Sequence, residues 1–323
     1  SSRRLSKYPK SFRTKMMREQ RRVLVTGGCG FIGAHLCKAL IENGNPVIIV
    51  DNLDGGDRSR ISKIEAAGLA RFYEVDIRDH QAIDEIFKQE LPTDVVHLAA
   101  GTSVSESKVN PKKYFDTLVT GTFNVLSAAS RANVKKFIYT NSAATYGKAQ
   151  QIPTPESAAP SPTNPYGAFK YLGEQLSLTL GAVNSIEVVS LRLFNLYGEF
   201  GSALFGLFVN QSLKGEPLTI TGDGAQRRDF TFVGDVADVI CKVLESDIKN
   251  EIINVATGQT HSIIDLANAL GEDYRFIPRA SDEPDLIWAD ISKLQKLLPS
   301  AVPRSPFGET VKEVMTKIKS KNR

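Results

Sequence analysis

The chain contains few cysteines and no long apolar run. Its three cysteines, at positions 29, 37 and 241, match neither a zinc-binding spacing nor a disulfide framework, which predicts reduced thiols in a reducing compartment. No apolar run reaches the ~20 residues that cross a bilayer, and no signal peptide is visible. These absences argue against a membrane protein or a disulfide-rich secreted protein and favour a cytoplasmic one.

Positive charge is concentrated at the amino terminus. Residues 1–22 carry nine Lys or Arg against the single acid Glu19, a formal charge of +8, and the rest of the chain is −4 because the whole is +4. A basic arm can bind nucleic acid or anionic lipid. This one has no apolar stripe and few aromatics, so we expect residues 1–20 to be a solvated basic extension that binds no nucleic acid.

Short apolar runs alternate with helical patterns through the first two-thirds of the chain. This order predicts an α/β fold with a doubly wound parallel sheet, whose ligands lie at the carboxyl ends of the strands. The predicted strands cover 23–26, 46–50, 72–75, 94–98, 136–140 and 187–193, and the predicted helices cover 31–43, 58–68, 79–90, 111–132 and 165–181.

A glycine-rich turn lies between the first predicted strand and the first predicted helix. Gly27, Gly30 and Gly33 form a Gly-x-x-Gly-x-x-Gly pattern, which lets the backbone approach a pyrophosphate at the amino end of a helix. The pattern is weak by itself, and a turn that merely packs a helix on a strand would also use it. Asp51 closes the next strand, 18 residues after Gly33, where a carboxylate would accept hydrogen bonds from both ribose hydroxyls. The combination predicts a dinucleotide site that prefers NAD to NADP.

Tyr166 and Lys170 are four residues apart on a predicted helix and therefore share one of its faces. A neighbouring positive charge favours the phenolate, so Lys170, together with the positive nicotinamide ring, is expected to lower the pKa of Tyr166 and make it a useful base. Ser142, at the end of a strand that reaches the same edge, would hydrogen-bond the substrate hydroxyl. The pair could also be an ordinary solvated helix pair, but Ser142 and the dinucleotide turn favour catalysis.

Several further motifs occur along the chain in the order in which one known superfamily has them. They include Thr26 to Gly33, Asp51-Asn52-Leu53, His97 to Ala100, Pro165-Tyr166-Gly167-x-x-Lys170, Leu191 to Gly198, Gly222 to Phe230 and Trp288-Ala289-Asp290. From about residue 21 to 315 the chain resembles an extended short-chain dehydrogenase/reductase, and within that superfamily the nucleotide-sugar 4-epimerases of the UDP-galactose 4-epimerase type. The resemblance implies a Rossmann NAD-binding domain over 21–195, with returns near 229–245 and 252–255, and a smaller C-terminal α/β substrate lobe over most of 196–323.

The resemblance also implies roles for individual residues. The catalytic group is Ser142, Tyr166 and Lys170. The NAD contacts would come from Gly27, Gly30, Phe31, Ile32, Gly33, Asp51, Asn52, Asp76, Ile77, Leu98, Ala99, Ala100, Tyr166, Lys170 and Phe194. The substrate contacts would come from Ser142, Asn195, Arg228, Arg279 and Ile287, with the arginines on the diphosphate and Ile287 beside the position that an N-acetyl group would occupy. No metal ligand is implied.

Some positions depart from related families. Dehydratases of the superfamily carry an Asp-Glu pair where this chain has Ala143 and Ala144, so a reaction confined to C4 is favoured. Thr102 and Leu118 replace a lysine and an NAD-contacting asparagine that are frequent in the closest epimerases, which predicts a weaker grip on the cofactor. A 4,6-dehydratase, a decarboxylase, a 4-keto reductase and a non-catalytic NAD-binding protein remain the alternatives.

The expected mechanism is a reversible oxidation at C4. Tyr166, as the phenolate, takes the proton of the 4-hydroxyl while the C4 hydride passes to NAD. The 4-keto sugar then turns about its diphosphate link, and the hydride returns to the opposite face. The expected partner is a nucleotide-diphosphate sugar, most simply UDP-linked, and the expected assembly is a homodimer joined by the 111–132 and 165–181 helices.

Overall fold

The structure is a computed structural model, and it describes residues 21–201, 203–278 and 283–322. The strands, in chain order, are β1 Val23–Thr26, β2 Val47–Asp51, β3 Ala70–Glu74, β4 Asp94–His97, β5 Lys136–Ser142, β6 Glu187–Leu193, β7 Leu196–Tyr197, β8 Leu218–Thr221, β9 Arg227–Arg228, β10 Thr231–Phe232, β11 Glu251–Val255, β12 His261–Ser262, β13 Tyr274–Ile277 and β14 Leu286–Ile287.

The α-helices, in the same order, are α1 Phe31–Glu42, α2 Ser62–Ala66, α3 His80–Glu90, α4 Val104–Val109, α5 Pro111–Phe115, α6 Thr122–Arg131, α7 Pro165–Val183, α8 Ala203–Leu213, α9 Val233–Glu245, α10 Ile263–Leu270, α11 Ser292–Leu297 and α12 Phe307–Lys321. Short 3₁₀ turns cover Arg58–Ile61, Ala143–Thr145 and Pro299–Ala301, and a π-helical turn covers Asp116–Gly121.

Seven parallel strands form the central sheet in the order β11-β6-β5-β4-β1-β2-β3. Both faces of the sheet are covered by helices, which explains why most of its strands are buried along nearly their whole length rather than at alternate residues. Leu24 and Val25, adjacent on β1, are both fully buried, and each belongs to the apolar core on a different face. The predicted doubly wound α/β fold is confirmed.

The sheet places the carboxyl ends of its strands along one edge. Thr26 of β1 lies opposite His97 of β4, and β2 pairs with β1 on the other side, so the strand order reverses direction between β1 and β4. Open α/β sheets bind ligands in the crevice at this point. A ligand-binding site is therefore expected at this edge, beside the turn after β1 and the ends of β2, β4 and β5.

A second apolar core lies in the later part of the chain. It joins β7, α8, α10 and α12 through side chains that include Tyr197, Phe208, Leu266 and Met315. Three small sheets accompany it: β8 with β13, β9 with β12 and β14, and β7 with β10. Strand β11 instead pairs with β6 and completes the central sheet.

Two predicted helices differ from the structure. The predicted helix over 111–132 consists of α5, a π-helical turn and α6 in direct succession. The predicted helix over 58–68 is a 3₁₀ turn followed by the five residues of α2, because Asp57 accepts a hydrogen bond from the backbone of Ser59 at 2.8 Å and Gly68 has a φ of +68°. Short polar caps and a left-handed glycine shorten a helix that propensity alone would extend.

Candidate active site

The turn between β1 and α1 is a backbone cradle that only glycine can form. Gly27 has a φ of +71°, and a Cβ there would lie 2.8 Å from the backbone nitrogen of Ala99. A Cβ on Gly33 would lie 2.1 Å from the carbonyl oxygen of Gly27. Helix α1 begins at Phe31 without a side-chain cap on Gly30, so its first N–H groups are available for an anion. The cradle fits the pyrophosphate of a dinucleotide.

The Asp51 carboxylate lies directly beside this turn. One oxygen accepts a hydrogen bond from the backbone of Cys29 at 2.9 Å, and the other accepts one from the backbone of Leu53 at 2.8 Å. A carboxylate has about four acceptor positions. Two backbone bonds therefore fix the orientation of Asp51 and leave each oxygen able to accept a ribose hydroxyl.

Asn52 and Asp76 meet at the ends of β2 and β3. The Asn52 amide donates to the Asp76 carboxylate at 2.7 Å, and Arg78 forms an ion pair with the same carboxylate at 2.7 Å. The hydrogen bond from Arg78 holds the pKa of Asp76 at about 2. Ile77 lies under Gly121, where a Cβ would come within 2.5 Å of the Ile77 side chain. Sequence reasoning found Asp76 and Ile77 but missed Arg78, which orients the carboxylate.

A buried histidine ties the ends of β1 and β4 together. The His97 ring joins the hydroxyls of Thr26, at 2.8 Å from Nδ1, and Thr122, at 3.0 Å from Nε2. Thr122 donates its proton to a carbonyl, so Nε2 carries the ring hydrogen and Nδ1 accepts from Thr26. Burial lowers the pKa of His97 to about 3, so the ring is neutral. The Thr26 oxygen accepts from the backbones of Leu98 and Ala99, both at 3.2 Å, and so fixes the wall of the cradle that ends at Ala100.

The three predicted catalytic residues meet at the end of β5. Ser142 is the last residue of β5, and its hydroxyl lies beside the phenol of Tyr166 in the first turn of α7, where it favours the phenolate. Asn164 caps that helix by accepting from the backbone of Gly167 at 2.9 Å. Lys170, one turn further, is 5% exposed and Tyr166 is 9% exposed. The arrangement can hold a substrate hydroxyl near a phenol in a largely dry environment.

Burial governs the pKa values of Tyr166 and Lys170 in the cofactor-free protein. Burial raises the pKa of Tyr166, and the hydrogen bond with Ser142 opposes the rise. Burial also lowers the pKa of Lys170 to about 7, and its Nζ donates to the carbonyl oxygen of Thr140 at 2.5 Å. In the cofactor-free protein the Lys170 ammonium is desolvated and directed to the backbone, and the prediction that it lowers the pKa of Tyr166 together with the positive nicotinamide ring stays a prediction.

A buried ion pair supports the catalytic group from behind. Arg192 and Glu174 are joined at 2.6 Å with side chains 2% and 0% exposed. Glu174 also accepts from Asn141 and Ser190, each at 2.7 Å, which links α7 to β5 and β6. The pattern of charges did not predict this network, because charged residues usually indicate exposed positions. Its signal in the sequence is that Arg192 stands between the apolar residues Leu191 and Leu193 of β6.

Phe194 follows β6 directly and is 4% exposed. Its ring lies 6.3 Å from that of Tyr146, whose hydroxyl donates to Asn254 at 2.6 Å. Tyr146 is in turn covered by the Arg192 guanidinium, 4.7 Å from the ring centroid. Phe194 is thus fixed between the central sheet and the loop that follows Ser142.

Of the other predicted substrate residues, the described ones lie directly after β6 and on the small sheet formed by β9, β12 and β14. Asn195 accepts a hydrogen bond from the backbone of Thr231 at 2.9 Å, which joins the end of β6 to β10. Arg228 on β9 is opposite Ile287 on β14, and its guanidinium forms an ion pair with Glu283 at 2.9 Å. Arg279 lies outside the described residues. The partner Glu283 was not recognised from the sequence.

The departures noted in the sequence have structural counterparts. Ala143 and Ala144 form the 3₁₀ turn that directly follows Ser142, and both are partly buried. Leu118 is 2% exposed and belongs to the small apolar cluster that contains Tyr114 and Tyr166. An apolar side chain thus packs near Tyr166. Thr102 is exposed.

Two kinds of feature are absent from residues 21–201, 203–278 and 283–322. No cluster of three or more His, Cys, Asp or Glu side chains in this part of the chain is arranged to hold a metal ion. No helix in these ranges is both long and apolar enough to span a membrane.

Comparison with known proteins shows the family to which this chain belongs. Residues 23–256 match the NAD dependent epimerase/dehydratase family, so the chain belongs to that family. The putative UDP-glucose 4-epimerase of Methanocaldococcus jannaschii is 35% identical over 93% of this chain and 99% of its own length.

Solved structures give the same result in three dimensions. The Thermotoga maritima UDP-glucose 4-epimerase with UDP-glucose has a TM-score of 0.87 and 31% identity, covering 94% of this chain and 100% of that one. DesIV, a dTDP-glucose 4,6-dehydratase of Streptomyces venezuelae with NAD bound, has a TM-score of 0.86 and 26% identity, covering 93% and 97%. Since an epimerase and a dehydratase share this fold, the reaction has to be argued from the site.

Proposed function

We propose that this chain is an NAD-dependent 4-epimerase of a nucleotide-diphosphate sugar, with a UDP-linked hexose or its N-acetyl analogue as substrate. The observation that carries the proposal is the meeting of Ser142, Tyr166 and Lys170 at the end of β5, next to the glycine cradle. The turn directly after Ser142 supplies Ala143 and Ala144, neither of which can exchange a proton at C5 or C6.

The glycine turn and Asp51 would hold NAD, which supplies a hydride acceptor that later returns the same hydride. Gly27, Gly30, Phe31, Ile32 and Gly33 are assigned to the pyrophosphate. Asp51 and Asn52 are assigned to the adenosine ribose, Asp76 and Ile77 to the adenine side, and Leu98, Ala99, Ala100 and Phe194 to the walls. The fixed carboxylate of Asp51 disfavours a 2′-phosphate by charge repulsion. NAD is therefore preferred to NADP.

Tyr166 is the residue that takes and returns the proton of the 4-hydroxyl. Ser142 is within hydrogen-bond reach of the phenol, so it can hold the same hydroxyl and share its proton. Lys170 holds its ammonium against the carbonyl oxygen of Thr140, from where its charge acts on Tyr166 through a dry interior. The proton is thus moved by the protein, while C5 and C6 are left untouched.

The diphosphate of the substrate is assigned to Arg228, Arg279 and Asn195, and Ile287 is assigned to the wall near C2. This proposal divides the chain into an NAD-binding part over 21–195, with returns near 229–245 and 252–255, and a substrate-binding part over most of 196–323. Arg228 supports it, because its buried guanidinium lies on β9 and is paired in register with Ile287.

A panel of nucleotide sugars tests the function. The holoenzyme is incubated with UDP-glucose, UDP-galactose and their N-acetyl analogues, and products are separated while NADH absorbance is followed. We expect interconversion of C4 epimers with no lasting absorbance change. Net NADH formation or consumption would identify a dehydrogenase or a 4-keto reductase, loss of water a dehydratase, and loss of carbon dioxide from a uronic acid substrate a decarboxylase.

We further propose that the protein is a homodimer joined by the helices over 111–131 and 165–183. Phe123 on α6 and Leu172 on α7 are apolar yet 48% and 46% exposed, and these helices pack side by side. Exposed apolar side chains on adjacent helices favour burial against a second copy. Sedimentation of the wild type and of Phe123→Glu tests this, and a monomeric wild type would contradict it.

A reducing compartment, most simply the cytoplasm, is the proposed location. Cys29, Cys37 and Cys241 are all buried free thiols. Burial raises the pKa of the Cys29 and Cys241 thiols to about 12, which keeps them protonated and unreactive.

A further inference from the structure

The guanidinium of Arg228 is bound by a carboxylate of the same chain. The Glu283 carboxylate lies 2.9 Å from Nη2 of Arg228, and the two side chains are 23% and 7% exposed. The other end of the fork donates to the carbonyl oxygen of Arg227 at 2.9 Å. The arginine is thus oriented by its own strand on one side and by Glu283 on the other.

Glu283 is held firmly in this position. Its second oxygen accepts from the Thr221 hydroxyl at the end of β8, at 2.9 Å, and its first oxygen is 3.4 Å from the amide nitrogen of Gln226. Three donors from β8, β9 and the turn between them therefore converge on one carboxylate. Glu283 lies three residues before β14, so this contact also fixes the start of the segment that carries Ile287.

We propose that Glu283 competes with the substrate diphosphate for Arg228 and thereby sets how tightly the nucleotide sugar binds. The inference rests on the proposed function, which assigns the diphosphate to Arg228. When the Arg228 guanidinium binds a diphosphate, it must either release the Glu283 carboxylate or hold the carboxylate and the diphosphate, two negative groups, close together. Both outcomes reduce the affinity for the diphosphate. Glu283 is therefore a positioning residue that weakens binding of substrate and product alike.

Weaker nucleotide binding has a use in this reaction. Substrate and product differ only at C4 and carry the same diphosphate, so any tightening at Arg228 holds both equally. Uniform tightening lowers KM without raising kcat, and it slows product release. The carboxylate keeps the arginine oriented and lets the product leave.

Glu283→Gln tests the proposal, because the amide can still accept from Thr221 but carries no charge. In the holoenzyme, titrated with UDP by calorimetry, we expect Glu283→Gln to bind about fivefold more tightly at low ionic strength, with the gain shrinking at high salt. In turnover, KM should fall while kcat stays the same or decreases. Glu272→Gln is the matched control, because Glu272 is also 23% exposed and ion-paired, with Lys319 at 2.7 Å.

Two further variants separate the possible outcomes. Glu283→Asp withdraws the carboxylate from Arg228 by one methylene, so this variant should also bind UDP more tightly than the wild type. It provides the test if Glu283→Gln fails to fold. In an Arg228→Lys background, Glu283→Gln should give a much smaller gain, because the guanidinium fork is gone. Equal or weaker UDP binding by both folded Glu283 variants, with a wild type that binds UDP and epimerises, overturns this inference alone. A wild-type holoenzyme that binds no UDP overturns the proposed function and this inference with it.

Discussion

The Ser142 hydroxyl lies beside the Tyr166 phenol at the carboxyl end of β5 and favours its ionised form, although 24 positions separate the two residues in the chain. Burial of Tyr166 favours its neutral form, and the Ser142 hydroxyl is the partner that favours the phenolate. A substrate hydroxyl that enters between them would meet a donor and an acceptor at once. This contact is the basis of the assignment of Tyr166 as the acid–base group.

Replacing the phenol should remove most of the activity. Tyr166→Phe keeps the ring and its packing but has no proton to exchange, so turnover should fall ~10²–10⁴-fold while NAD binding changes little. Steady-state kinetics and a cofactor titration measure the two effects. Tyr171→Phe, five positions further along the same helix, is the control and should retain activity. Near-normal turnover of Tyr166→Phe would assign the proton to another residue.

Lys170 should make the cofactor-free protein less stable as the pH falls. Its pKa in the folded protein is about 7, well below the ordinary lysine value of 10.5, so between these values the unfolded chain binds a proton that the folded chain does not. The free energy of unfolding should therefore decrease from pH ~10 to ~7 and then level off. Denaturant titrations of the wild type and Lys170→Met across this pH range should show the decrease in the free energy of unfolding only in the wild type. Lys312→Met, at an exposed position, should keep it.

Asp51 should decide between the two nicotinamide dinucleotides. Because both carboxylate oxygens are fixed by backbone N–H groups, the charge lies beside the cradle in every molecule. Titration of the cofactor-free protein should give clear preference for NAD, and Asp51→Asn should reduce NAD affinity and narrow the difference from NADP. Equal affinities of the wild type for both would remove the role given to Asp51.

Removing one partner of the buried Arg192–Glu174 ion pair should destabilise the folded protein, because the other charge is left buried without a counter-charge. Arg192→Met leaves the Glu174 carboxylate buried with only neutral partners, and the free energy of unfolding should fall by about 3–5 kcal/mol. Arg58→Met, which breaks an exposed pair with Glu65, should cost less than about 1 kcal/mol. Chemical denaturation of the two variants compares these costs, and similar small losses would show that the buried network is dispensable.

The sequence predicted the central sheet well because its signals are local. Strands 23–26 and 187–193 coincide with β1 and β6, since a largely apolar run bounded by turn residues is typical of a strand buried on both faces. The positions of Tyr166 and Lys170 on one helix face followed from their spacing. The glycine turn was predicted from the backbone geometry that only Gly27 and Gly33 allow.

What the sequence did not predict depends on contacts between distant segments. Glu174 and Arg192 are 18 positions apart, and their charges alone suggested exposed positions rather than a buried pair. The hydrogen bond from Lys170 to Thr140 depends on how α7 packs against β5, and no local sequence pattern predicts that packing. Glu283 lies 55 positions from Arg228 and gains its meaning only when β14 pairs with β9.

The fate of the C4 hydrogen tests the central claim most directly. A substrate deuterated at C4 is converted by the holoenzyme in ordinary water, and the label is located by mass spectrometry and NMR. Because Ser142, Tyr166 and Lys170 serve only C4, and Ala143 and Ala144 leave C5 and C6 without an acid or base, the product should retain the deuterium at C4. A parallel reaction in deuterated water should place no label at C5, and no NADH should accumulate. Solvent label at C5, or loss of water from the sugar, would contradict the account and identify the enzyme as a dehydratase.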